Sequence, residues 1–118
     1  MNLTGSVALV TGANRGLGAR LVAELLRAGT AKVYAASRSP AAAAAGDPRV
    51  QPLILDVTDP ASVTAAAAAA PDVTVLVNNA GVLAFGSALT GDLTAFERDL
   101  ATNYLGTLRV TRAFVPAL

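Results

Sequence analysis

Apolar residues follow two rhythms along this chain: short β-branched runs, and longer stretches in which leucine or valine returns every three or four positions. The first run, V-A-L-V at Val7 to Val10, is ended by Gly12 and predicts a buried strand over Ser6–Thr11. From Arg15 to Ala28, Leu17, Leu21, Val22 and Leu25 recur at helical spacing, and Gly29 stands where a left-handed C-cap belongs. Lys32–Ala36, Val50–Leu55 and Val73–Val77 read as three further strands bounded by turn residues. Between them, Ala41–Ala45 predicts a weak helical turn. Asp59 followed by Pro60 signals a helix that runs to about Ala69, with Pro71 behind it. The last helical pattern starts near Asp92 and continues to Leu118. Thr94-x-x-Glu97 offers a capping box there, and Asp92 an alternative cap one turn earlier.

Strands that alternate with helices need crossover connections, and crossovers imply a parallel sheet. The fold class is therefore α/β, and 118 residues argue for one domain at most. The alanine tracts are given a structural role, because alanine is the best helix former and lets a helix lie close to a sheet.

Composition narrows the chemistry. The chain has no Cys and no His, which removes disulfides, thiolate nucleophiles, Ser-His pairs and zinc sites of the Cys/His kind. A net charge of +1 with singly scattered Arg and Lys gives no basic stripe for nucleic acid. The N-terminus lacks the basic and apolar regions of a signal peptide, and no run approaches membrane-spanning length, so no membrane partner and a cytoplasmic location are expected.

The candidate chemistry lies where strands end. T-G-A-N-R-G-L-G, Thr11 to Gly18, joins the first strand to the first helix. Such a turn gathers free backbone N–H groups and the positive end of a helix dipole, a site for phosphate. Its spacing, Gly12-x-x-x-Gly16-x-Gly18, departs from the G-x-G-x-x-G fingerprint, and no P-loop lysine follows. Ser37-Arg38, Asp56-Val57 and Asn78-Asn79-Ala80-Gly81 follow strands two, three and four, the ends at which open α/β sheets bind ligands. An acidic residue after strand two would select the ribose diol of NAD; here Arg38 offers a guanidinium fork for a 2′-phosphate, Ser37 a hydroxyl and Arg15 a second cation.

Taken in order, T-G-A-N-R-G-L-G, L-D-V-T-D, N-N-A-G and T-N-Y-L-G make the chain from Gly5 to Leu118 resemble the short-chain dehydrogenase/reductase family. The resemblance implies a Rossmann-type doubly wound sheet of about four strands, in the order 3-2-1-4. It also implies a nicotinamide cofactor, NADP rather than NAD, and hydride transfer between a carbonyl and an alcohol. By the same resemblance Gly12, Asn14, Arg15, Gly16, Leu17 and Gly18 wrap the adenine-ribose and pyrophosphate, and Asp56 and Val57 face the adenine. Asn79, Ala80 and Gly81 line the cofactor, Asn78 steadies the central sheet, and Asn103 matches a water-holding member of the family's proton relay.

The family's catalytic serine and Tyr-x-x-x-Lys pair have no match in these residues. Tyr104 is followed four positions on by Leu108, Tyr34 lies on a strand too far from Arg38 for contact, and Lys32 reads as a solvated strand-end residue. The helical pattern stops at Leu118 without a cap, so the chain is expected to be the cofactor-binding part, residues 1–118, of a larger domain. It is expected to be inactive alone, and a full-length form is expected to be a homo-oligomer acting on a small carbonyl or alcohol. The alternative is a non-catalytic nucleotide-binding or regulatory module that keeps the fold.

Overall fold

A computed structural model describes residues 1–40 and 46–118. The helical turn expected at Ala41–Ala45 lies outside the described residues. Along the chain come β1 (Val7–Thr11), α1 (Gly16–Arg27), β2 (Lys32–Ser37), β3 (Val50–Ile54), α2 (Pro60–Ala69), β4 (Val75–Val77) and α3 (Leu93–Asp99). A π-helical stretch, Leu100–Gly106, then leads into α4 (Thr107–Phe114). Among the described residues the strands form one parallel sheet in the order β3-β2-β1-β4. No helix among them is long and apolar enough to cross a membrane.

Successive strand residues point to opposite faces, and β1 uses both faces for burial. Ala8 and Val10 pack with Val33, Ala35 and Val22 of α1 on one side. Leu9 packs with Tyr34, Ala36, Val63 and Ala66 of α2 and Val110 and Phe114 of α4 on the other. A central strand covered on both faces explains why V-A-L-V shows no apolar–polar alternation. Ala66 and Ala70 are buried against the sheet side of α2, the close approach for which small side chains are suited. Asp59 Oδ1 accepts from Ala61 N at 3.0 Å and starts α2, a cap contributing about 1 kcal/mol. Gly29 takes φ +91 after α1.

Three expectations are corrected and one is made more specific. The final helical pattern is not one helix but α3, a π stretch and α4. Asp92, not Thr94, caps α3, its Oδ1 accepting from Thr94 N at 2.9 Å. In-register pairing of β4 starts at Val75; Val73 is buried but precedes it. Lys32 does stand at the start of β2 with its side chain partly exposed, but it is engaged: its Nζ donates to Tyr34 Oη at 2.9 Å and pairs with Asp72, and Tyr34 Oη donates to Asp72 Oδ1 at 2.8 Å. The Asp72 hydrogen bond, then that of Tyr34, holds the Lys32 ammonium above its usual range, while Lys32 and Tyr34 hold the Asp72 carboxyl below its own.

Candidate functional site

At the C-terminal end of β1 the chain turns through Gly12 and Gly16, at φ +65 and +55, a region L side chains rarely enter. A Cβ on Gly12 would lie 2.9 Å from Ala80 Cα, whereas a Cβ on Gly16 would meet nothing within 4 Å. The space beside Gly16 is the open side of the turn. Gly18 is buried, and a Cβ there would run into the Gly12 carbonyl oxygen. Arg15, at the N-cap of α1, provides no side-chain acceptor, so the first-turn N–H groups stay available to an anion.

β4 delivers its loop to the same place. Thr11 Oγ1 accepts from Asn79 N and from Ala80 N, both at 2.9 Å. Asn79 Nδ2 donates to the carbonyls of Thr11 at 3.1 Å and Gly12 at 3.2 Å. Asn79 therefore ties the centre of the sheet together, the task expected of Asn78. Asn78 Nδ2 instead donates to Thr111 Oγ1 of α4 at 3.0 Å.

Ser37, the last residue of β2, is 4% exposed, and its Oγ has no hydrogen-bond partner among the described residues. A buried hydroxyl left unpaired costs free energy unless a ligand or water satisfies it. Arg38 beside it is exposed. After β3, Asp56 Oδ1 accepts from Thr58 Oγ1 at 2.6 Å and Thr58 N at 2.9 Å. Those bonds hold its carboxyl below the usual carboxylate range, and the field of Arg38 adds a smaller push in the same direction. Val57 is buried, and its carbonyl accepts from Arg109 Nη1 of α4 at 2.7 Å.

These ends enclose one open cleft of about 960 Å³. Gly12, Asn14, Arg15, Gly16, Leu17, Gly18, Ser37, Arg38, Asp56, Val57, Asn79, Ala80 and Gly81 all line it. Leu17 is there with its side chain exposed, not on the buried stripe of α1 where its spacing placed it. Arg98 and Thr102 also line the cleft. They come from the α3–π wall, and nothing in the sequence announced which face of that helix meets the sheet.

Asn103 does not line the cleft. Its Oδ1 accepts from Val82 N at 2.8 Å and its Nδ2 donates to Val82 O at 2.6 Å, so both ends of the amide grip one residue of the cleft wall. One turn earlier Asp99 Oδ2 accepts from Ala84 N at 2.7 Å. The two side chains pin the loop after β4 against the π stretch, the kind of irregular winding that recurs at functional sites.

A family model described as short chain dehydrogenase matches residues 6–118. The chain belongs to the short-chain dehydrogenase family. Its strand order and Rossmann-type architecture are those of family members of known structure. A short-chain dehydrogenase from Burkholderia cenocepacia, solved in complex with NADP, superimposes with a TM-score of 0.95 at 44% identity. That match covers 100% of this chain and 50% of the other. The NADPH-bound carbonyl reductase from chicken fatty liver gives a TM-score of 0.89 at 33% identity over 98% of this chain and 49% of its own. The short chain dehydrogenase tazN of Aspergillus terreus is 40% identical over 131 residues, covering 100% of this chain and 29% of the fungal protein. This short-chain dehydrogenase chain thus spans half or less of the length of these relatives.

Proposed function

We propose that residues 1–118 are the cofactor-binding part of an NADP-dependent short-chain oxidoreductase. The observation that carries this reading is the end of β2: a buried Ser37 Oγ, unpaired among the described residues, next to the exposed Arg38, both on the cleft, with no carboxylate at that strand end. A ribose 2′-phosphate would satisfy the hydroxyl and pair with the guanidinium, whereas a carboxylate there would favour the diol of NAD. The two relatives solved with NADP or NADPH, at 44% and 33% identity, support the same choice.

In this reading the α1 N-terminus with Gly12, Gly16 and Gly18 takes the pyrophosphate, with Asn14, Arg15 and Leu17 around it. Asp56 and Val57 bound the adenine side, and Asn79, Ala80 and Gly81 line the path toward the nicotinamide. Asn103 is a positioning residue that holds Val82 at the cleft wall. The bound dinucleotide supplies or accepts a hydride; the substrate class is a small carbonyl or alcohol. The protein works in the cytoplasm, and the complete enzyme assembles with copies of itself.

The test is calorimetric titration of NADP and NAD into the chain and its variants. Hydrogen bonds to charged groups contribute about 1.5–3 kcal/mol, so Arg38→Ala should weaken NADP roughly 10- to 100-fold and NAD little. Adding Ser37→Asp should shift preference toward NAD. Equal loss for both cofactors would remove the phosphate from the assignment.

A further inference from the structure

We infer that Arg98 closes over the adenine end of the bound dinucleotide, laying its guanidinium on the base from the helix side of the cleft. This inference rests on the dinucleotide reading above, which fixes the ends of the site. The pyrophosphate belongs to the glycine turn and the ribose 2′ group to Ser37 and Arg38. The base hangs from that same ribose, so it enters the part of the cleft beyond β2, where Leu55, Val57 and Thr58 line the sheet side.

The helix side of that space is fixed by contacts. A Cβ on Gly106 would lie 2.7 Å from Val57 Cγ2, and Arg109 Nη1 holds the Val57 carbonyl at 2.7 Å. That face of the helix therefore follows the Val57 loop. Thr102, one turn before Gly106, lines the cleft, and Arg98, one further turn toward the N-terminus, lines it too. Arg98 is exposed and makes no ion pair or side-chain hydrogen bond among the described residues. The cleft carboxylate, Asp56, already accepts two hydrogen bonds from Thr58. A planar cation on a long apolar stem, lining the same cleft as Val57, suits a flat aromatic base.

The experiment titrates NADP and adenosine 2′,5′-bisphosphate into the wild-type chain, Arg98→Ala and Arg98→Lys, with thermal melts of each as a control for folding. Arg98→Ala should weaken both ligands equally, by about three- to tenfold, and leave the melt unchanged. Arg98→Lys should also bind more weakly, since the ammonium lacks the flat face. Three results overturn the inference: unchanged affinity in Arg98→Ala, full affinity in Arg98→Lys, or a loss confined to NADP. The second would make Arg98 a point charge for phosphate, and the third would place it at the nicotinamide end. If the wild-type chain binds neither ligand, the dinucleotide reading itself falls; if it binds both and Arg98→Ala matches it, only the role of Arg98 does.

Discussion

Gly16 and Gly18 stand two residues apart and do different jobs. Gly16 sits at φ +55 with open space beside it, so a side chain there strains the backbone and intrudes only on a ligand. Gly18 faces the Gly12 carbonyl, so a side chain there pushes α1 off β1. Gly16→Val should abolish dinucleotide binding while far-ultraviolet circular dichroism stays near wild type. Gly18→Ala should lower unfolding free energy by about 1–3 kcal/mol, the usual range for overpacking, read in urea titrations. Unimpaired binding in Gly16→Val would reduce the turn to a structural feature. Both glycines were legible in the sequence because backbone freedom and close approach leave few residue choices. Thr11, which accepts from two backbone N–H groups, was not: a threonine ending a strand looks the same whether its hydroxyl is idle or engaged.

Among the elements, those with strong local signals appear where their residues put them. Asp59-Pro60 starts α2, Gly29 follows α1, and the β-branched runs are the strands. The π stretch was invisible: it lies where Asp99 and Asn103 grip Ala84 and Val82, partners set by tertiary structure. Lys32 is a similar case. Its partner Asp72 lies 40 positions away and follows Pro71, which ends the α2 region. That pair ties β2 to the segment before β4 and leads to a pH prediction. The Asp72 carboxyl is depressed below its usual 3.8, so the link contributes stability above that pH and loses it as pH falls through the folded value. The Lys32 ammonium is raised above its usual 10.5, so the contribution is complete below that pH and fades as pH rises further. Asp72→Asn should therefore melt below wild type at neutral pH, by an amount in the modest range of exposed ion pairs. The gap should begin to close below about pH 3.8 and vanish once the pH has fallen through the lower folded value. A gap that persists there would assign the difference to something other than charge.

For the whole molecule, the parallel α/β layering followed from strand–helix alternation, since parallel neighbours admit few connections, whereas the strand order came from the family resemblance. The gathering of four separated motifs into one cleft followed from the same rule about strand ends. Extents of 49 × 28 × 27 Å and fully or largely exposed Leu83, Phe85 and Leu89 did not. Those residues lie in the segment after β4, where apolar character gives no indication of direction. The cleft itself is fastened across its floor. The Thr11 hydroxyl, at the start of the glycine turn, accepts two N–H groups of the β4 loop, and the Asn79 amide doubles the connection by donating to the Thr11 and Gly12 carbonyls. Two banks joined in this way are expected to move as one. Cofactor association should then be one exponential phase in stopped-flow fluorescence, with a rate linear in NADPH concentration and no plateau. Thr11→Val keeps the shape but leaves two part-buried N–H groups without their acceptor. It should add a slow, concentration-independent phase as the banks come into register before the cofactor can enter. A wild-type rate that saturates would mean that the floor moves in spite of its fastening.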